Sequence, residues 1–132
     1  MIMFGGGLRP AVSGVKALTD DCVFCKIAAG EIPAKLVYQD PEFVAFSDIN
    51  AQAPVHLLVI PRKHYSDVLA AHKADAALLE RVFAVVARLA AEKDLEADGF
   101  RLVCNTGRNG GQTVKHLHFH VLGGRFMGWP PG

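Results

Sequence analysis

The sequence has little net charge, few cysteines and no long apolar run. Its 132 residues include 14 Lys and Arg against 13 Asp and Glu, a net charge of +1, which argues against binding nucleic acid through overall charge. No apolar stretch approaches the ~20 residues of a membrane span. Three cysteines, an odd number, with no evident secretory segment, favour a reducing compartment over a disulfide framework. We therefore expect a cytoplasmic protein with neither nucleic acid nor a membrane as partner.

The composition suits a single packed domain. Hydrophobic residues make up 51% and charged residues 20% of the chain, which argues against global disorder. Residues 1–20 differ, because they are rich in glycine and lack hydrophobic periodicity. We expect them to form a mobile extension to a domain of residues 21–132. Arg9 and Lys16, with no acidic residue before Asp20, leave import into an organelle open.

The hydrophobic pattern predicts an α+β domain with an antiparallel sheet. Apolar runs bounded by turn residues predict about five strands, at residues 36–39, 43–48, 55–60, 100–104 and 112–122. A short N-terminal helix is predicted at 23–29, one or two helical turns at 66–71, and one long helix at 75–93 with Asp75 as its N-cap. The apolar stripe of the long helix is Leu78, Leu79, Val82, Phe83, Val86, Leu89 and Ala90.

Three histidines, His116, His118 and His120, alternate with apolar residues in one short segment. Residues two apart in a β-strand share a face, so the three imidazoles would lie side by side, ~6.6 Å apart, while the residues between them face the core. Clustered imidazoles each need a hydrogen-bond partner or solvent. Three together suit nucleophilic and acid–base chemistry or metal ligation.

A glycine-rich loop, residues 105–111, leads directly into the histidine segment. Its Gly107, Gly110 and Gly111 permit backbone N–H groups to converge on one point, as in a cradle for phosphate oxygens. Taken alone, the loop is equally well interpreted as a plain hairpin turn. Beside a histidine nucleophile it predicts phosphoryl transfer, with His56 on a neighbouring strand as a fourth imidazole. Neutral donors flank the loop at Asn105, Gln112 and Thr113.

Residues 116–122 resemble the histidine triad motif, His-x-His-x-His followed by apolar residues. The similarity is to the histidine triad nucleotide-binding (Hint) branch of the histidine triad (HIT) superfamily, and it extends over about residues 20–132. Other matching stretches are residues 31–35 (EIPAK), 52–54 (QAP), 59–61 (VIP), 110–112 (GGQ), 123–125 (GGR) and 129–132 (WPPG).

The resemblance implies a HIT-like fold and a purine nucleoside phosphoramidase. Such enzymes cleave the P–N bond of adenosine or guanosine 5′-phosphoramidates, and they also hydrolyse aminoacyl-adenylates. By similarity, His118 is the nucleophile that becomes nucleotidylated, His116 and His120 orient and polarise it and the phosphate, and His56 lies near the leaving group. Thr113 stands where the family usually has serine, with a hydroxyl that can still donate.

The resemblance also implies a nucleotide pocket and a homodimer in which two sheets join into one. Asp48 would accept hydrogen bonds from the ribose, and Trp129 would reach toward the partner's active site. The purine would lie among Phe24, Ile27, Phe46 and Ile49, which on sequence alone are equally well interpreted as core residues. The phosphate and ribose side would be lined by Asn105, Gly111, Gln112 and Val114.

Cys22 and Cys25 form a Cys-x-x-Cys pair, which needs two further ligands to hold zinc. Some bacterial members of the superfamily carry a similar pair and bind zinc with two histidines, which would be His64 and His116 here. Other members lack the pair and need no metal, so we expect no cofactor for catalysis and consider structural zinc and a simply buried pair as alternatives.

Three other functions compete with the phosphoramidase. One is a dinucleoside polyphosphate hydrolase or nucleotidylyltransferase of the same superfamily, against which the GGR and WPPG stretches argue. Another is a nucleotide-binding scaffold whose role runs through a partner. The third is a metalloenzyme that uses the histidines as zinc ligands, and it lacks an obvious general-base carboxylate nearby in the sequence.

Overall fold

The computed structural model of the protein describes residues 21–132, and the expectations about residues 1–20 lie outside the described part. Within it the elements follow in the order α1 (Val23–Ala28), β1 (Leu36–Gln39), β2 (Phe43–Ser47), β3 (Val55–Pro61), α2 (Val68–Ala74), α3 (Leu78–Glu92), β4 (Phe100–Val103) and β5 (Phe119–Gly123). The strands form one antiparallel sheet in the order β1-β2-β3-β5-β4. The predicted α+β fold, with five strands, one long helix and a short N-terminal helix, is confirmed.

Alternation along the strands gives the sheet two different faces. On one, the α3 face, Leu57, Val59, Phe119 and Val121 pack with the buried side of α3 in the main core. The opposite one, the α1 face, carries a smaller cluster in which Phe46 and Leu58 pack with Phe24 of α1. No helix within residues 21–132 is long and apolar enough to cross a membrane.

The long helix begins later than predicted. It starts at Leu78, with Ala77 in the N-cap position, so the prediction of Asp75 as its N-cap is wrong. Asp75 instead ends α2, where its carboxylate accepts the Ala77 N–H at 3.2 Å and pairs with Arg81. The buried side of α3 is also rotated from the predicted stripe. It contains Leu78, Val82, Val85, Val86, Leu89 and Ala90, while Phe83 is 54% exposed.

The histidine strand is shorter than predicted, because β5 spans only Phe119–Gly123 and residues 112–118 are irregular. The backbone of this irregular segment runs against residues 61–66 instead of a strand. The Leu117 N–H donates to the Tyr65 carbonyl at 2.7 Å, and the Gln112 side-chain amide donates to the Ser66 carbonyl at 2.7 Å. His116 and His118 are therefore positioned by loop contacts, and only His120 by the sheet.

Candidate active site

His118 is held as a neutral imidazole with one nitrogen available. Its Nδ1–H donates to the carbonyl oxygen of His116 at 2.7 Å, which leaves the lone pair on Nε2. The ring is 4% exposed and packs against the edge of Phe24, with centroids 5.2 Å apart. Burial lowers the pKa of His118, so the unprotonated form dominates at neutral pH. An unprotonated Nε2 is what a nucleophilic histidine requires.

His56 and His120 form a hydrogen-bonded pair whose direction is fixed by the backbone. The Gln52 N–H donates to Nδ1 of His56 at 3.0 Å, so the His56 proton lies on Nε2. That Nε2–H donates to Nδ1 of His120 at 2.9 Å, which puts the proton of neutral His120 on its Nε2. Leu58 lies opposite His120 and Leu122 opposite His56, so the two histidines are diagonal neighbours on the α1 face.

The His120 side of this pair resists protonation. Burial, with the neighbouring His118 and His56, lowers the pKa of His120 to about 4, and Asp48 opposes the shift. The Asp48 Oδ2 lies 3.4 Å from Nε2 of His56, while its Oδ1 accepts the Asn50 N–H at 2.9 Å. The Asp48 side chain is 18% exposed, so a ligand can reach it.

The glycine-rich loop is a closed turn rather than an open cradle. The Gly107 N–H donates to Oε1 of Gln112 and the Gly111 N–H to the Arg108 carbonyl, so the prediction that these amides converge on a phosphate is wrong. Gln112 acts as the clamp, since its amide also donates to the Ser66 and Val114 carbonyls. Gly110 packs so closely that a Cβ there would lie 2.4 Å from the Thr106 carbonyl oxygen.

The remaining predicted pocket residues divide between core and surface. Phe24 and Phe46 are buried edge to face, with centroids 5.6 Å apart. Ile27 and Val114 are partly buried against the same cluster. Ile49 is fully exposed at 104%, which rules out its alternative interpretation as a core residue.

The other three predicted residues are all at least partly exposed. Asn105 is half-buried at the start of the glycine-rich loop and Thr113 is exposed at its end. Trp129 is 83% exposed and lines a cavity of about 410 Å³ together with Arg101 and Leu122. Leu122 is two residues from His120 on β5, so this cavity lies on the same face as the histidines.

Four side chains form a candidate Cys₂His₂ zinc site, Cys22, Cys25, His64 and His116. Their ligand atoms all lie within 4.8 Å of one another. Nδ1 of His116 is 3.2 Å from Sγ of Cys22 and 3.5 Å from Sγ of Cys25, and Nδ1 of His64 is 3.3 Å from Sγ of Cys25. Ligand atoms around a tetrahedral zinc are about 3.5 Å apart, so these residues fit the ion.

The surroundings of the cluster also fit a metal. The His116 Nε2–H donates to the Pro61 carbonyl at 2.9 Å, which leaves its Nδ1 unprotonated and aimed at the thiols. The Cys25 N–H donates to Sγ of Cys22 at 3.3 Å. A hydrogen bond from the Cys25 thiol, opposed by burial, lowers the pKa of Cys22, and the same bond and burial raise the pKa of Cys25. A lowered pKa at Cys22 favours the thiolate form in which cysteine ligates a cation.

Two residues at the site were given no role from the sequence, Gln52 and Arg125. Gln52 supplies the N–H that sets the tautomer of His56, and Arg125 donates to the Gln52 carbonyl. Both lie in stretches that resemble the Hint branch, residues 52–54 (QAP) and 123–125 (GGR). A backbone donor leaves no mark in residue type, so these matches indicated no role for either residue.

Comparison with known proteins agrees with this architecture. The HIT domain family matches residues 29–127 of the chain. An uncharacterized HIT-like protein of Synechococcus elongatus is 48% identical over 115 residues, which cover 87% of this chain and 100% of the relative. The crystal structure of a HIT family hydrolase from Legionella pneumophila is 48% identical, with a TM-score of 0.82, and the match covers 85% of this chain and 100% of that one. The chain belongs to the HIT domain family.

Two further solved structures share the fold. A zinc-bound histidine triad family protein from Mycobacterium smegmatis is 37% identical with a TM-score of 0.68, and the match covers 81% of this chain and 77% of that one. A histidine triad nucleotide-binding protein from Candida albicans is 31% identical with a TM-score of 0.72, and the match covers 83% of each chain.

Proposed function

We propose that the protein is a hydrolase of purine nucleoside 5′-phosphoramidates and aminoacyl-adenylates that works through a nucleotidylated His118. The observation that carries the proposal is the His118 tautomer, in which Nδ1–H is bound to the His116 carbonyl and the lone pair is on Nε2. The HIT family hydrolase from Legionella pneumophila and the nucleotide-binding protein from Candida albicans support the reaction class and the ligand class.

The reaction takes two displacements at phosphorus. In the first, Nε2 of His118 forms a bond to phosphorus as the P–N bond breaks, and the amine departs with the electron pair of that bond and one proton from water. In the second, water attacks the same phosphorus and the N–P bond to His118 breaks. The nucleoside monophosphate leaves, and one proton of the attacking water passes to solvent and replaces the proton taken in the first step. Nδ1–H of His118 stays on the His116 carbonyl throughout and stabilises the cationic ring of the intermediate.

His120 acts as a fixed hydrogen-bond donor beside the phosphate. Its Nδ1 is occupied by the proton of His56, so Nε2–H is the group left to donate to a phosphoryl oxygen or to the departing nitrogen. Because its pKa is lowered to about 4, His120 enters the reaction neutral and keeps this orientation. Such preorganised donors supply much of the stabilisation of a phosphoryl-transfer transition state.

The nucleoside lies along the α1 face in this proposal. Asp48 accepts hydrogen bonds from the ribose, and Phe24, Ile27, Phe46 and Ile49 bound the purine. The Ile49 side chain is fully exposed, so a base bound against it would bury apolar surface and gain free energy. Asn105, Thr113 and Val114 line the phosphate side, where Gly111 and Gln112 contribute by holding the loop closed.

Two copies of the chain form the functional unit. Among the strands of residues 21–132, β4 ends the sheet, and such an edge suits continuation of the sheet into a second copy. Trp129, on an exposed tail, then reaches the partner's pocket.

Zinc has a structural part in the proposal. Held by Cys22, Cys25, His64 and His116, it would cross-link α1, the segment after β3 and the start of the histidine segment, and the zinc-bound relative from Mycobacterium smegmatis supports this assignment. The chemical steps use His118, His120 and His56, none of which belongs to that ligand set.

The test is turnover of a fluorogenic adenosine 5′-phosphoramidate by wild type, His118→Ala and the surface control His72→Ala, each with and without chelator. We expect His118→Ala to lose about six orders of magnitude in kcat, as nucleophile deletions do, while the control keeps wild-type activity. Mass spectrometry of a quenched wild-type reaction should detect a nucleotidylated histidine. Faster turnover of diadenosine polyphosphate than of the phosphoramidate would favour the dinucleoside polyphosphate hydrolase. Nucleotide binding together with unchanged rates in His118→Ala would favour the scaffold.

A further inference from the structure

Arg125 restrains the backbone beside the histidine pair. Its Nε and Nη2 both donate to the carbonyl oxygen of Gln52, at 3.1 and 2.9 Å, and its Nη1 donates to the Phe126 carbonyl at 3.0 Å. Two donors of one planar guanidinium on one oxygen fix its position better than a single flexible contact. The side chain therefore ties the segment after β5 to the segment before β3.

Close packing brings these two segments together. Gly123 lies opposite Val55 in the β3–β5 register, so the residues beyond Gly123 run past those before Val55. Gly124 has φ of +91°, and a Cβ there would lie 2.9 Å from Cβ of Pro54. Only glycine permits both that conformation and that approach. The backbone is thus shaped to deliver Arg125 to Gln52.

Gln52 also makes the contact that sets the direction of the histidine pair. Its N–H donates to Nδ1 of His56, which in turn orients the hydrogen bond from His56 to His120. We propose that Arg125 is a positioning residue of the active site, which holds residue 52 so that its N–H fixes the tautomers of His56 and His120. The catalytic consequence rests on the function proposed above, whereas the effect on the tautomers stands without it.

Loss of Arg125 has a defined chemical effect in this proposal. When the Gln52 N–H moves away, Nδ1 of His56 can take the ring proton and Nε2 becomes an acceptor, and the Asp48 Oδ2 at 3.4 Å is then the contact that still favours a proton on Nε2. Neutral His120 then carries its ring proton on Nδ1, where it donates to His56, and the lone pair of its Nε2 faces the phosphate. A lone pair facing anionic oxygens replaces a donor with a repulsive contact, so the transition state loses stabilisation while substrate binding elsewhere is kept.

The experiment compares Arg125→Met with Arg101→Met. Arg101 also anchors the tail, since its Nη2 donates to the Gly128 carbonyl at 2.9 Å, but its contacts are to residues 127 and 128 and not to Gln52. Long-range ¹H–¹⁵N NMR spectra report which nitrogen of each histidine carries the proton, and steady-state kinetics give kcat and KM separately. Arg125→Lys serves as the conservative variant, because an ammonium can still donate to the Gln52 carbonyl.

In wild type, and in Arg101→Met, we expect His56 and His120 both to be protonated on Nε2. In Arg125→Met we expect Nδ1–H forms of both to be populated, and kcat to fall about 10- to 100-fold with little change in KM. Arg125→Lys should restore the wild-type tautomers. Wild-type tautomers in Arg125→Met, or equal tautomer changes in Arg101→Met, would overturn the proposal. Altered tautomers in a protein with no phosphoramidase activity would uphold the positioning role and refute the proposed function instead.

Discussion

The carbonyl oxygen of His116 accepts the Nδ1–H of His118 at 2.7 Å, while the ring of the same His116 belongs to the Cys₂His₂ cluster. One residue therefore contributes its backbone to the nucleophile and its side chain to the candidate zinc site. Because His116 is also fully buried and donates to the Pro61 carbonyl, its position is determined from three directions. The candidate zinc site and the nucleophile therefore share one residue.

The cysteine cluster should bind zinc and stabilise the fold. We expect protein purified with zinc to hold about one ion per chain, and Cys25→Ser to lose it. Free zinc at a hundred times the Kd of the site adds about 2.7 kcal/mol to the free energy of unfolding. Metal analysis and thermal melts test this, with Cys104→Ser, outside the cluster, as the matched control. Equal melting temperatures with and without chelator would contradict it.

The lowered pKa of His120 should make stability depend on pH. The unfolded histidine takes up a proton near pH 6.5, whereas the folded one does so only near pH 4. Its contribution is therefore fully present above pH 6.5 and is lost as the pH falls from 6.5 toward 4. In urea unfolding at several pH values, the free energy of unfolding should fall less steeply with decreasing pH for His120→Gln than for wild type. Parallel declines in the two proteins would argue against the shift.

Glycine at position 110 should be required for activity. A Cβ there would lie 2.4 and 2.8 Å from the backbone oxygen and nitrogen of Thr106, which cannot rotate away, so the loop must distort. Displacement of active-site groups by about 1 Å costs on the order of 100-fold in rate, and we expect a loss of that size in kcat/KM for Gly110→Ala. Gly128→Ala meets no atom within 4 Å and serves as the control. Similar rates for both variants would refute the steric argument.

The rotated face of α3 predicts that truncation to alanine lowers the free energy of unfolding by different amounts at two large apolar residues of this helix. Leu89 is fully buried, so Leu89→Ala should lower the free energy of unfolding by about 2–5 kcal/mol. Phe83 is 54% exposed, and Phe83→Ala should cost under about 1 kcal/mol. Chemical denaturation measures both. Comparable losses would mean that Phe83 is covered in solution.

The sequence predicted the fold class and the shared face of the histidines because both follow from periodicity. His118 and His120 do lie together on the α1 face, although His118 precedes the strand. Alternation constrains side-chain direction in any extended segment, but it does not reveal whether a partner strand is present. Groups in residues 112–118 donate instead to the carbonyls of Tyr65 and Ser66, and these contacts arise from tertiary packing.

Local rules failed where a distant partner competed. Asp75 has the chemistry of an N-cap, yet its carboxylate pairs with Arg81, and the helix begins three residues later. The loop glycines have the freedom of a phosphate cradle, yet the Gln112 side chain occupies the Gly107 amide. Contacts of this kind depend on which groups the fold brings together, so residue spacing alone does not contain them.

The opposite placement of the main core and the histidines on β5 has a consequence for protein engineering. Phe119 and Val121 face α3, whereas His120 between them faces α1. Apart from the candidate zinc site on the α1 side, the contacts that stabilise the main core and the contacts that select a substrate are thus largely separate sets of side chains. Directed evolution for heat tolerance can draw on the α3 side while a library aimed at new leaving groups is built on the other.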